Sequence, residues 1–527
     1  MLNTQFSMNT DSESELDSRA GLSRSLTNDM TNTALKLSRA SLALLTDLYE
    51  LTMACAYWKS GMADTEAAFH LSFRQPPFAG GFTVACGLGT TIEYLREFRF
   101  TESDLAYLRT ITGRDQQPLF ERAFLDWLGE LRLACDVEAL PEGTVVFPHE
   151  PLVRVEGPIA QAQILETALL NFMNFQSLIA TKAARVCLAA QGEPVIEFGL
   201  RRAQGIDGGL TASRAAYVGG CAGTSNLLAG KLYGIPVAGT HAHSWVMAFD
   251  TELEAFAAYA RALPNNCIFL VDTYNSLAGV GHAVEIGRRL RQQGHDLAGI
   301  RLDSGDLAHL SIQARKILDD AGFAGAVIVG SNDLDEHLID SLKEQKAKIN
   351  VWGVGTRLVT GYDDPALGGV YKLSAIRRPD GAWEPKLKLS EQAAKVTNPG
   401  LLQVRRFRSA AQFIGDAIYD SSRPVPGRFT IVVPLDPSRR RHFAPETPGE
   451  DLLVPIFRRG QLVYPPPALA AIRARVQQQL AMLPSAIKRS RNPRQYPAGL
   501  ELGLHRLKTK LILQARAARV RRQGRGE

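Results

Sequence analysis

Between Val195 and Gly355, short apolar runs alternate with helical segments, and no other feature of the chain limits its fold as much. The runs are PVIEFG, GCAGTSN, IPVAGT, CIFLVDT, LAGIRLD, AVIVGS and INVWGVG. Between them stand helical patterns, among them SRAAYVGG, NLLAGKLYG, HSWVMAFDTELEAFAAYARAL, VGHAVEIGRRLRQQG, LAHLSIQARKILDDAG and LDEHLIDSLKEQ. Parallel strands cannot be joined by tight turns, so strands spaced this way need crossovers, and a helix is the usual one. The pattern predicts an α/β fold whose centre is an irregular, TIM-like β/α barrel, with a doubly wound open sheet as the alternative.

The flanking sequence predicts a second unit. Residues 1–38 are rich in Ser, Thr, Asn and Asp with little apolar periodicity, which predicts a disordered N-terminal extension. From Leu42 the spacing in LLTDLYELTMACAYWKSG is helical, with Gly61 as its stop. AAFHLSFRQPPFAGGFTVACG reads as two strands around a Pro/Gly loop, a mostly helical stretch runs to Cys135, and GTVVFPHEPLVRVEGP alternates like a strand pair. QAQILETALLNFMNFQSLIATKAARVCLAAQ is apolar on more than one side and predicts a long buried helix. The expected divisions are a mixed α+β domain over 39–160, a catalytic barrel over 161–377, and a C-terminal segment over 378–500 that packs back on the N-terminal domain. Residues 501–527 read as a helix followed by a disordered basic tail.

Composition narrows the function classes. A chain of 527 residues with 45% hydrophobic and 22% charged residues suits a globular protein of two or three domains. The longest apolar stretch, near Ile164 to Ala180, is interrupted by Glu166, Asn171, Asn174 and Gln176, which argues against a membrane span. Asp11, Glu13 and Glu15 make the N-terminus acidic, unlike a secretory signal. Cys55, Cys86, Cys135, Cys187, Cys221 and Cys267 show no CxxC spacing. That pattern predicts neither a zinc site nor a disulfide framework, and points to a reducing cytoplasm. The net charge of +6 belongs to the tail: from Lys488 onward twelve Lys and Arg face only Glu501 and Glu527, leaving the remainder net acidic. Specific nucleic-acid recognition is not expected, because no aromatic-interleaved basic face accompanies the tail.

Each apolar run of the alternating region is followed by a polar cluster. These are GLRR (199–202), GTSN (223–226), GTHAH (239–243), DTYN (272–275), RLDSGD (301–306), GSN (330–332) and GVGT (353–356). Barrel chemistry collects after the C-terminal ends of the strands, so the clusters predict one convergent site; ordinary turn chemistry is the bland reading. GVGT and GSND offer backbone N–H groups for a phosphate. Asp272, Asp303 and Asp306 can accept ribose hydroxyls or hold Mg²⁺ through water, and Arg201, Arg202 and Arg301 can pair with phosphate or carboxylate. Neither a P-loop nor a Rossmann fingerprint follows a suitable strand. The combination points to a phosphorylated sugar beside a small anion. His241 and His243 admit three readings at this stage: a core pair, a metal pair, or a histidine with covalent chemistry.

The segments TDLYELTMA (46–54), EFGLRRAQG (197–205), GTHAHSW (239–245), VDTYN (271–275) and RLDSGDL (301–307) resemble the nicotinate phosphoribosyltransferase family. VGSNDLDE (329–336), GVGTRLVTG (353–361), LGGVYKL (367–373) and NPRQYPAGL (492–500) continue the resemblance in the family's order, over roughly residues 42 to 513. The resemblance implies a cytoplasmic transferase of pyridine nucleotide (NAD) salvage. Nicotinate and phosphoribosyl pyrophosphate would give nicotinate mononucleotide and pyrophosphate, coupled to ATP hydrolysis with Mg²⁺. It implies a homodimer with the active site at the interface, Tyr49 stacking on the pyridine in the partner's site. It places nicotinate on Thr240 and Arg301, ribose hydroxyls on Asp272 and Asp303, and phosphate on Arg202. It lines the 5′-phosphate site with Ser331, Asn332, Gly353, Gly355 and Thr356, and sets Mg²⁺ near Asp303 and Asp306. His243 matches the family's phosphohistidine, whereas His241 stands where an aliphatic residue is usual. A nicotinamide or quinolinate phosphoribosyltransferase, or more remotely a sugar-phosphate aldolase or isomerase, is the alternative.

Overall fold

The computed structural model describes residues 41–523, apart from 393–394, 426 and 434–435. The polar extension expected over 1–38 and the end of the basic tail lie outside the described residues. The alternating region forms one parallel sheet of six strands. Its order is Gly223–Thr224, Val195–Glu197, Val351–Val354, Val327–Gly330, Gly299–Leu302 and Ile268–Leu270. The helices Gly205–Gly219, Ser276–Gln292, Leu307–Asp320 and Glu336–Glu344 are the crossovers. Short, near-continuous apolar strands make sense here, because a parallel sheet covered by helices is buried on both faces. Phe269, Ile300, Ile328 and Trp352 are all fully buried.

The first and last strands of the region, Val195–Glu197 and Val351–Val354, are neighbours. Val237 adds a single parallel bridge beyond Thr224. Between Val237 and the opposite edge, Ile268–Leu270, the described residues contain no backbone ladder. A side chain stands in that gap: the Leu270 N–H donates to His241 Nε2 at 3.2 Å.

A second sheet of seven strands draws on both ends of the chain. Its order is Trp383–Pro385, Gly369–Arg377, Glu66–Phe73, Val153–Pro158, Asp136–Ala139, Val454–Arg458 and Gln461–Leu462. All its pairings are antiparallel. Glu66–Phe73 is buried along nearly all its length, as its AAFHLSF run requires of a central strand. The strand Gly369–Arg377, which carries the LGGVYKL segment, therefore pairs with an N-terminal strand and not with the parallel sheet. A further six-stranded sheet lies between Leu402 and Glu501.

The long helix appears as Ile159–Ile164 followed directly by Glu166–Ala189. It packs on Gly205–Gly219 so closely that a Cβ at Gly219 would come within 2.3 Å of the Ala180 carbonyl oxygen. This helix also carries buried charge toward the loops above the parallel sheet. Lys182 Nζ lies 2.7 Å from Glu336 and 2.7 Å from Asp363, and Arg185 Nε lies 2.7 Å from the other oxygen of Glu336. Two of the loops that follow parallel strands, SNDLDE and GTRLVTGYDD, are thus tied to one rigid element. Among the described residues no helix is long and apolar enough to cross a membrane.

Candidate active site

The carboxylate of Asp303, just past the strand Gly299–Leu302, is the hub of the strand-end clusters. Arg301, within that strand, donates to three neighbours: Nη2 to Asp303 Oδ1 at 2.8 Å, Nε to Ser331 Oγ at 2.8 Å, and Nη1 to Thr240 Oγ1 at 3.1 Å. The Ser331 hydroxyl donates to the same Asp303 oxygen. Asp272 Oδ2 accepts the Asp303 N–H at 3.0 Å and the Ser304 hydroxyl at 2.5 Å. Asp272 Oδ1 is buried without a hydrogen-bond partner among the described residues. Burial pushes the Asp303 carboxyl up, but the Ser331 hydroxyl and the Arg301 guanidinium outweigh it and hold the group below its ordinary value. Asp303 is therefore a carboxylate near neutral pH, with Oδ2 still free to accept.

His243 begins the short helix His243–Met247. Its Nδ1 is 3.2 Å from the Thr273 hydroxyl, its Nε2 is 3.9 Å from Asp303 Oδ2, and its side chain is 39% exposed. In the tautomer whose Nδ1–H donates to Thr273, the lone pair is on Nε2. His241 turns the other way, so the two imidazoles do not converge. No three His, Cys, Asp or Glu among the described residues are gathered to hold a metal. The HxH rings diverge because the chain turns into a helix at His243: His241 is buried beneath the loop and His243 sits at the rim.

The loop after Val327–Gly330 holds Asn332 at φ 101° and Asp333 at φ 43°, backbone that non-glycine residues rarely adopt. Asp335 closes this loop by accepting the N–H groups of His337 at 3.0 Å and Leu338 at 2.8 Å, and it pairs with Arg357 at 2.5 Å. That pair couples the Asn332 loop to the neighbouring GVGT loop, where Gly355 precedes the turn Thr356–Val359. Ser331, at the start of the Asn332 loop, joins that loop to Asp303 and Arg301, so both loops adjoin the hub.

The structure brings Thr240, Asp272, Arg301, Asp303 and Ser331 into one hydrogen-bonded group, with His243 3.9 Å from Asp303 and Asn332, Gly353, Gly355 and Thr356 on the adjoining strand end and loops. Arg202 is exposed in the turn Leu200–Arg202 and makes no ion pair among the described residues. Tyr49 stands apart from the hub: it is 46% exposed on the helix Leu48–Lys59, beside Glu50 and Glu166. Asp306 is the N-cap of Leu307–Asp320, accepting the His309 N–H at 3.0 Å. It acts there as a helix cap rather than as a member of the Asp303 group.

Two further residues belong to the site. The Phe198 ring lies 5.4 Å from the Arg301 guanidinium. A Cβ on Gly353 would come within 2.6 Å of that ring, so the glycine is what lets Phe198 lie over the strand end. Fully buried Glu197 accepts from the Gly199 N–H, from Ser213 at 2.8 Å and from Thr224 at 2.5 Å, holding the GLRR and GTSN loops together. The available signal was position: both residues close the PVIEFG run at its polar end, where an aromatic and an acid would otherwise read as core and turn.

Comparison with known proteins points to one family. The profile of the nicotinate phosphoribosyltransferase N-terminal domain matches residues 44–174, that of the nicotinate phosphoribosyltransferase family residues 194–381, and that of its C-terminal domain residues 403–508. The nicotinate phosphoribosyltransferase of Bacillus subtilis is 44% identical over 465 residues, covering 87% of this chain and 93% of its own. The human protein of that name is 36% identical over 527 residues, covering 89% of this chain and 96% of its own. The crystal structure of human nicotinic acid phosphoribosyltransferase superposes with a TM-score of 0.77 at 34% identity, covering 89% of this chain and 100% of that one. With its length spanned by these profiles and with these relatives matched over most of both chains, the chain belongs to the nicotinate phosphoribosyltransferase family.

Proposed function

We propose that this enzyme joins nicotinate to the ribosyl carbon of phosphoribosyl pyrophosphate, giving nicotinate mononucleotide and pyrophosphate. The observation that carries the reading is the Arg301–Asp303–Ser331 group beside the Phe198 ring. Arg301 offers a planar fork to the nicotinate carboxylate, Phe198 offers a flat apolar face to the pyridine, and Asp272 and Asp303 offer acceptors to the ribose diol. The pyridine nitrogen forms the bond to C1′ as the bond to the pyrophosphate oxygen breaks, and the pyrophosphate leaves with its electron pair. Positive charge grows on C1′ during this exchange. The protein contributes alignment of the ring nitrogen and a fixed carboxylate field from Asp272 and Asp303. The Asn332 and Gly355 loops would hold the 5′-phosphate, with Arg202 on phosphate at the rim.

Mg²⁺ binds through one or two carboxylates plus substrate phosphates, and Asp303 and Asp272 supply that number. It would supply neutralisation of the departing pyrophosphate. ATP coupling is assigned to His243: Nε2 attacks the γ-phosphorus, ADP leaves, and water later releases phosphate from the ring nitrogen. The exposure of Leu48 and Tyr49 on one helix, and of Leu200, Ile206, Leu227 and Leu228 beside the strand ends, supports a homodimer. In it the partner subunit's Tyr49 would cover the pyridine face opposite Phe198. The pairing of the first parallel strand of the region with the last supports reading that sheet as an incompletely closed β/α barrel, and the strand Gly369–Arg377, which joins the N-terminal sheet, places its end before residue 369.

The test is turnover of purified protein with nicotinate and phosphoribosyl pyrophosphate, with and without ATP, against nicotinamide and quinolinate as competitors. Pyrophosphate release specific to nicotinate is the expected result, and no release with any pyridine would end the reading. Phe198→Ala should raise the KM for nicotinate by about tenfold while the KM for the ribosyl donor stays within about twofold, because a lost stacking face acts on the ring alone.

A further inference from the structure

We propose that His241 is a positioning residue: its imidazole takes the place of a missing backbone acceptor at the open edge of the parallel sheet, and so holds the Thr240–His243 loop against the strand that leads to Asp272. The inference rests on the proposed function only for what those loops carry.

The amides of the edge strand show why an acceptor is needed. Val271 N–H donates inward to the Arg301 carbonyl at 3.2 Å. Amides alternate sides along a strand, so Leu270 N–H faces outward, where the next strand would stand. Val237 and Ala238, which pair with Thr224 on one side, are the nearest backbone in sheet order, but no backbone hydrogen bond among the described residues joins them to Leu270. His241 Nε2 fills the place at 3.2 Å. The ring is 8% exposed, with centroids of Tyr259, Phe256 and Phe269 at 5.1, 5.8 and 6.2 Å. Those aromatic walls leave Leu270 N–H little access to water, so a buried donor there depends on this ring. Nδ1 lies 3.4 Å from the Ala242 carbonyl oxygen, which places the proton on Nδ1 and the lone pair on Nε2.

Thr240 and His243, which bracket His241 and Ala242, face the hub. Thr240 accepts from Arg301 at 3.1 Å, and His243 meets Thr273 at 3.2 Å. Asp272 and Thr273 directly follow the strand that His241 holds. The His241 ring, anchored on Leu270 N–H, therefore sets the spacing between the loop that carries Thr240 and His243 and the strand end that carries Asp272.

Leucine and glutamine at 241 separate this role from plain packing. His241→Leu keeps the volume and suits the aromatic box, but leaves Leu270 N–H unpaired; His241→Gln can place an oxygen near the Nε2 position. By hydrogen–deuterium exchange the segment containing Leu270 should exchange at least about tenfold faster in His241→Leu and near the native rate in His241→Gln. In turnover, His241→Leu should lose about tenfold in kcat/KM for the ribosyl donor and His241→Gln no more than about threefold, because displaced groups lose alignment. Leucine performing as well as glutamine, or unchanged exchange at Leu270 in both, overturns the proposal. If the native protein shows no turnover, the proposed function fails while the exchange measurement still decides whether His241 closes the sheet.

Discussion

Asp303→Ala is expected to lower kcat/KM by about 10³-fold or more, comparable to removing a preorganised charge from an active site. The change removes one acceptor from Arg301 and one from Ser331 together with the oxygen nearest His243. Arg301 then has no carboxylate to hold its fork open toward the nicotinate, and the ribose loses a hydroxyl acceptor. Asp303→Asn keeps the shape and one carbonyl acceptor but not the charge, so it should recover only part of the loss. Steady-state kinetics on both substrates read the difference, and a loss under about tenfold for Asp303→Ala would remove Asp303 from the centre of the mechanism. The pH dependence has a definite sign. The Asp303 pKa is depressed by Ser331 and Arg301 against the upward push of burial. Its stabilising contacts are therefore complete above the ordinary aspartate range and are lost only as pH falls through the depressed value. An acid limb of activity near pH 6 would belong to another group.

His243→Ala should abolish the effect of ATP while leaving slow transfer. The hub of Arg301, Asp303, Ser331 and Thr240 contains no hydrogen bond to His243, whose contacts are Thr273 at 3.2 Å and Asp303 Oδ2 at 3.9 Å. Glycosyl transfer needs no covalent protein intermediate, so the substrate contacts survive the change. Incubation with γ-labelled ATP should label the native protein at one acid-labile site per chain and leave His243→Ala unlabelled. Stable label on the variant would move the phosphoryl acceptor elsewhere.

The strand-end residues were legible before the structure because each apolar run ends abruptly in Gly, Ser, Asn, Asp or Arg. A parallel strand is too short and too buried to hide such a change. Phe198 and Glu197 were not legible as site residues, since an aromatic and an acid at the end of an apolar run are equally at home in a core. Nothing in LGGVYKL says that this strand leaves the parallel sheet to pair with Glu66–Phe73, because strand composition carries no address for a partner distant in sequence. The gap beside Ile268–Leu270 was equally hidden: it is filled by one imidazole, and a lone buried histidine has no periodicity to betray it.

The interleaved seven-stranded sheet has a consequence for synthesis. Glu66–Phe73 gains Gly369–Arg377 only some three hundred residues later, and Asp136–Ala139 waits still longer for Val454–Arg458. While ribosomes are still translating the middle of the message, the nascent chain holds apolar strands with unsatisfied edges, and closing them pays for loops of hundreds of residues. Such a polypeptide should mature slowly after release, depend on chaperone capacity for its yield, and tolerate almost no shortening that removes Val454–Arg458.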